Sequence, residues 1–184
     1  MPYPRTLLLP TNNQDGTAYT GTAALGVITP SPPPEIWADQ LQHGGVVLVK
    51  FMGRFTSSGT PGTMTMSLVL AKAAVAIGTG TLLCVSSSLT VPASQTNKHF
   101  RGEFVIEALS PGLGTGANFG QVRASGWVSG IVTGGVVSLI PDTAPMAAVN
   151  LDTTANERIL IGVTPSVTTG SWQLHKVVAE YSGN

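Results

Sequence analysis

The sequence is short of charge. Asp, Glu, Lys and Arg make up 10% of its 184 residues, against roughly 25% in an average soluble domain. Nine basic and nine acidic residues cancel, and no stretch concentrates Lys or Arg. A nucleic-acid surface needs a basic patch to neutralise phosphates, so that class of partner is not expected. So little charge also cannot cover the surface of a lone monomer, and some apolar surface is expected to be covered by partners. The mean hydropathy of +0.26 points the same way.

Cysteine is nearly absent. Cys84 is alone, which excludes an internal disulfide and a zinc site built on paired thiols. It lies in the apolar run "TLLCV", where a buried structural thiol is the expected role. The chain lacks an N-x-S/T glycosylation site, and "MPYPRTLLLP" does not read as a signal peptide, because three leucines bounded by prolines make no apolar core. The nearest approach to a long hydrophobic run is "MSLVLAKAAVAIGTGTLLCV" (66–85). It has the length of a bilayer-spanning helix, but Lys72 interrupts it, "GTGT" splits it, and its flanks alternate with period two. No membrane span is expected.

Catalytic motifs are missing as well. There is no G-x-S-x-G elbow and no S-x-x-K pair. His43, His99 and His175 are far apart in sequence, and none has a second ligand type at metal spacing. Glu103 and Glu107 share a strand face but stand roughly 13 Å apart in an extended chain, too far for a glycosidase pair. Charge pairing with Arg123 or Arg101 across a hairpin is the simpler expectation. "SPGLGTGANFG" (110–120) imitates a phosphate-binding loop, yet its context is wrong. The strand before it alternates with charges, and the residues after it have period two, so no helix N-terminus is offered to a phosphate. The stretch reads as a hairpin tip. Neither an enzyme nor a cofactor is expected.

What the chain has is glycine (22), proline (13) and abundant Ser and Thr, a mixture that favours short strands and turns. Residues 1–34 hold seven of the prolines, so they read as an extended N-terminal arm able to reach a neighbouring subunit. In "PEIWADQLQHGG" a short helical turn is expected, with Trp37 capping the core and Gly44 ending the turn. From residue 45 the pattern is β. Val47, Val49, Phe51 and Phe55 oppose Lys50 and Arg54. Met64, Met66, Leu68 and Leu70 form one face of a half-buried strand. Further strands are expected at 72–77 and 81–89.

Phe100, Phe104, Ile106 and Ala108 oppose Arg101, Glu103 and Glu107 in the clearest strand, 99–109. At 119–130, Val122, Ala124 and Val128 oppose Gln121, Arg123 and Ser125, and Trp127 joins the outward face. Strands near 131–140, 157–164 and 171–181 complete about eight, with Trp172 in the core in phase with Leu174. The fold expected is all-β: an antiparallel β-sandwich of jelly-roll type over residues 35–184, preceded by the arm.

"WADQLQHGGVVLVKFMGRFTSSGTPGTMTMSLVL", followed by "GTGTLLCVSSSLTVPASQTNKHFRGEFVIEALSPGLGTG" and "RASGWV", resembles the small jelly-roll virion proteins of tailed bacteriophages. The likeness covers about residues 37–128 and continues more loosely to the end. It implies a non-enzymatic structural protein of a phage virion, a capsid decoration (cement) protein that binds the major capsid protein or other virion proteins. It also implies a homo-oligomer, with a trimer favoured, located in the virion and assembled in the bacterial host cytoplasm. A tail-associated receptor-binding or glycan-binding module is the alternative. No catalytic residue carries over. The residues expected to make subunit or partner contacts are Trp37, Leu113, Arg123 and Trp127.

Overall fold

In the computed structural model of the protein the described residues are 6–12, 15–21, 26–38, 40–41, 44–72, 80–110, 120–134, 137–141, 147–152 and 154–183. Among them are thirteen strands and no helix: β1 (Thr6–Asn12), β2 (Gly26–Val27), β3 (Glu35–Ile36), β4 (Val46–Ser57), β5 (Thr63–Lys72), β6 (Thr81–Val85), β7 (Leu89–Thr90), β8 (Lys98–Ser110), β9 (Gly120–Ser129), β10 (Val137–Ile140), β11 (Val149–Leu151), β12 (Glu157–Pro165) and β13 (Gly170–Ser182). They form two antiparallel sheets. The larger runs β1-β13-β4-β8-β9-β10, with β11 also on β9; the smaller runs β2-β12-β5-β6, with β3 on β12 and β7 on β5. The sheets face each other across one apolar core, as in a β-sandwich.

Alternation decides which side chains enter that core. Val47, Val49, Phe51 and Phe55 of β4 and Phe100, Phe104, Ile106 and Ala108 of β8 all point inward. Facing them from the small sheet are Met64, Met66, Leu68 and Leu70 of β5 and Ile159, Ile161 and Val163 of β12. Two inward glycines make room for the rings. Gly53 is paired with Phe100 and Gly102 with Phe51. A Cβ on Gly102 would come within 2.3 Å of the Phe51 ring, and one on Gly53 within 2.8 Å of the Phe100 ring. With that space open, Phe51 stacks on Phe104 at 5.3 Å between centroids and meets Phe100 edge-on at 6.5 Å.

The small sheet departs from simple alternation. Ser67, Val69 and Ala71 of β5 are buried although they point away from the main core. Val69 and Ala71 form a second cluster with Leu160, which is paired with Val69, and with the half-buried Val27. The expected half-buried strand is therefore buried on both faces over its second half. The run 66–85 supplies strands β5 and β6, and among the described residues no helix is long and apolar enough to cross a membrane. The strand expected at 72–77 falls, beyond Lys72, on residues 73–77, outside the described residues.

The N-terminal segment packs on the chain's own sheets. β1 pairs with β13, and β2 with β12. The Gly16 N–H donates to Leu174 O, and Tyr19 and Trp172 exchange backbone hydrogen bonds. Leu8 and Ile28 join the core. The described part of residues 1–34 is thus extended, but it is built into the edge of the sandwich rather than held apart as an arm. The expected helical turn at 34–44 is also replaced. Glu35–Ile36 is a short strand, the Gln40 N–H closes a single turn on Trp37 O, and Ile36 enters the core while Trp37 stays 64% exposed. The residue before Trp37 takes the place assigned to it.

Candidate functional site

The outer face of the large sheet collects the chemistry-bearing side chains, because the phase that buries the phenylalanines turns their neighbours to water. β4 presents Lys50, Met52 and Arg54; β8 presents His99, Arg101, Glu103 and Glu107; β9 presents Arg123, Ser125 and Trp127. On β13 the register slips. Leu174 pairs with Gly53 and Lys176 with Met52, leaving His175 without a partner residue on β4. This β-bulge restores the inward phase to Val177 and Ala179 and re-aims His175.

The result is an open depression of about 370 Å³ lined by Met52, His99, Arg101, Ser129, Gly130 and His175. The rings of His99 and His175 meet edge to face with centroids 5.9 Å apart, although 76 positions separate them in the chain. A neighbouring hollow of about 240 Å³ shares Met52 and adds Lys50, Lys176 and Val178.

Most charges near this face are matched. Arg54 donates to Asp15 at 2.7 Å and to Gln173 at 3.1 Å. Lys50 stands 3.8 Å from Glu180, and Arg123 donates to Glu107 at 2.6 Å. The expected pairing across the β8–β9 hairpin is therefore present for Glu107 and Arg123, whereas Arg101 stands opposite Ser129. Elsewhere Arg158 pairs with Glu35 and Lys72 with Asp152. Among the described residues, the cations with no carboxylate within ion-pair distance are Lys98, Arg101 and Lys176. All three belong to β8 and β13, next to the two histidines.

Exposed apolar side chains mark two opposite edges of the same sheet. At one edge Leu139 of β10, 64% exposed, is paired with the half-buried Trp127, and Val137 beside it is 57% exposed. At the other, Leu7 of β1 and Trp37 line a hollow of about 220 Å³ with Thr6 and Gln40. Trp127 and Arg123 therefore share a face, while Trp37 lies across the full width of the sheet from them. Leu113, His43 and the glycine-rich stretch at 111–119 lie outside the described residues.

A partly buried ionic group sits at one end of the small sheet. The Lys72 ammonium donates to Asp152 at 2.8 Å, and Asp152 also accepts from the Thr154 amide and hydroxyl. Those bonds, that to Lys72 first, hold the Asp152 carboxyl down to about 2. The same Asp152 bond raises Lys72. Glu157, paired with Lys72 in the β5–β12 ladder and almost fully buried, is pushed up to about 7. Burial is the main cause, the Asp152 charge adds to it, and the Lys72 charge opposes it. The Asp152 bonds tie the turn before β12 to β5, a structural role. Burial pushes the Cys84 thiol up to about 12, so it is no nucleophile. Among the described residues, no group of three His, Cys, Asp or Glu side chains could hold a metal ion.

Sequence reasoning missed the meeting of His99 with His175 and the ionic group at Lys72, since both depend on pairings between distant strands. Leu139 was within reach: "VVSLI" alternates, and its exposed phase was readable. No family model matches the chain, and a search of curated proteins finds no match.

Proposed function

We propose that the chain is a non-enzymatic structural protein of a bacteriophage virion, a capsid decoration protein that stabilises the head through subunit contacts. The observation that carries this reading is the pair of apolar patches at opposite edges of the large sheet: exposed Leu7 of β1 with Trp37 beside it, and exposed Leu139 and Val137 of β10, with Leu139 paired to the half-buried Trp127. Two different patches on one subunit suit head-to-tail contacts, which close into a ring when the rotation allows; a trimer is the ring proposed. Exposed Leu82 and Val85 on β6 add apolar surface for the major capsid protein or another virion partner.

The jelly-roll part of the reading rests on strand order. With β9–β11 set aside as an extension and the two-residue strands β3 and β7 as side pairings, the sheets run β1-β13-β4-β8 and β2-β12-β5-β6. The outermost strands in sequence pair with each other, as do the next ones inward, down to the β5–β6 hairpin. That is the pattern of one long hairpin wrapped into a double sheet.

Light scattering across a dilution series, with co-sedimentation on phage heads, tests the proposal. A concentration-dependent oligomer that binds heads, and that Leu139→Ser with Trp37→Ser converts to a monomer, is the expected result. A monomer at every concentration with no retention on heads overturns it.

A further inference from the structure

We propose that the depression between β8 and β13 is a binding site for an oxyanion group, a carboxylate, sulfate or phosphate, carried by a small ligand. This reading stands apart from the assembly role, because the depression lies in mid-sheet, away from both edge patches.

The lining supplies donors of the right kind. Arg101 offers a planar fork of N–H groups suited to oxyanions, Ser129 a hydroxyl, and His99 and His175 two imidazoles at right angles. No carboxylate lines the space. Charge points the same way. Arg101 lines the depression with no carboxylate within ion-pair distance, and Lys176, likewise unmatched, lines the neighbouring hollow that shares Met52. The nearest acids are committed elsewhere or displaced along the strands. Asp15 is on Arg54 and Glu180 on Lys50, and Glu103 lies two residues along β8, opposite Lys50 and Trp127.

The bulge is the second independent observation. It puts His175 and Lys176 side by side on a face where a regular strand would offer one of them.

The test is an NMR titration of the full chain with sodium sulfate, sodium phosphate and sodium glucuronate. Glucose serves as the neutral control and sodium chloride as the ionic-strength control. Saturable shifts at His99, Arg101, Ser129 and His175 are expected. Arg101→Gln is expected to weaken binding by about tenfold or more. Arg101 is exposed, so an unchanged melting temperature will certify its fold. Glucuronate binding well above the inorganic ions identifies an acidic saccharide as the source of the anion; equal binding identifies a free oxyanion. Shifts no larger than those with chloride, or binding unaltered by Arg101→Gln, overturn the proposal.

Discussion

The two sheets use their strands differently. β4 and β8 of the large sheet have one face in the core and the other in water, and their sequences alternate almost without exception. β5 and β12 of the small sheet are buried on both faces over much of their length, and their sequences carry apolar runs, "LVLA" and "ILIGV". The same architecture therefore yields one sheet whose outer face is open to water and one whose centre is buried on both sides.

The largest expected effect removes a ring from the shared core. Phe104→Ala leaves a cavity against Phe51 and should cost about 3–5 kcal/mol, read by urea denaturation. The sharpest test of the contrast compares two outward positions. Leu160→Ser on the small sheet should cost about 2–3 kcal/mol, because Leu160 is 2% exposed against Val69. Met52→Ser on the large sheet, where Met52 is 41% exposed, should cost less than about 0.5 kcal/mol. Equal costs would erase the distinction between the faces.

Glu157 gives the contrast a pH dependence. Its folded pKa of about 7 lies above the ordinary 4.5, so the folded state holds the proton more tightly. Its contribution to stability is full below about pH 4.5 and is lost as pH rises through 7. Asp152, held at about 2, works in the opposite sense: its contribution is present above about pH 4 and is lost as pH falls toward 2. Glu157→Gln should flatten the decline between pH 5 and 8 and raise the melting temperature at about pH 8 by a few degrees, by calorimetry. A small electrostatic effect also belongs to the open face. Arg123→Gln breaks a half-exposed ion pair with Glu107 and should cost about 0.2–1 kcal/mol, less in high salt.

Legibility in the sequence obeys the same division. Phe100, Phe104, Ile106 and Ala108 against Arg101, Glu103 and Glu107 could be read off directly, because a strand wetted on one face writes its burial into alternate residues. Val69 and Leu160 could not, since a strand buried on both sides has no polar phase to read, and the same run imitates a membrane segment. The bulge hid the site. Counting by twos from Trp172 carries Lys176 into the core and Val177 out of it, the reverse of what is found. Trp37 caps the core only if 34–44 turns as a helix, whereas Ile36 alone enters the core because β3 pairs with β12 in that phase.

Thr6 pairs with Tyr181, so β1 and β13 begin and finish their ladder at the same corner of the large sheet. Tension applied between those two residues would load the ladder one hydrogen bond at a time, as a zipper opens, instead of shearing all the bonds together. The sandwich should therefore yield first by peeling β1 from its edge. A neighbour that clamps β1 in place would convert a mechanically soft margin into a stiff one.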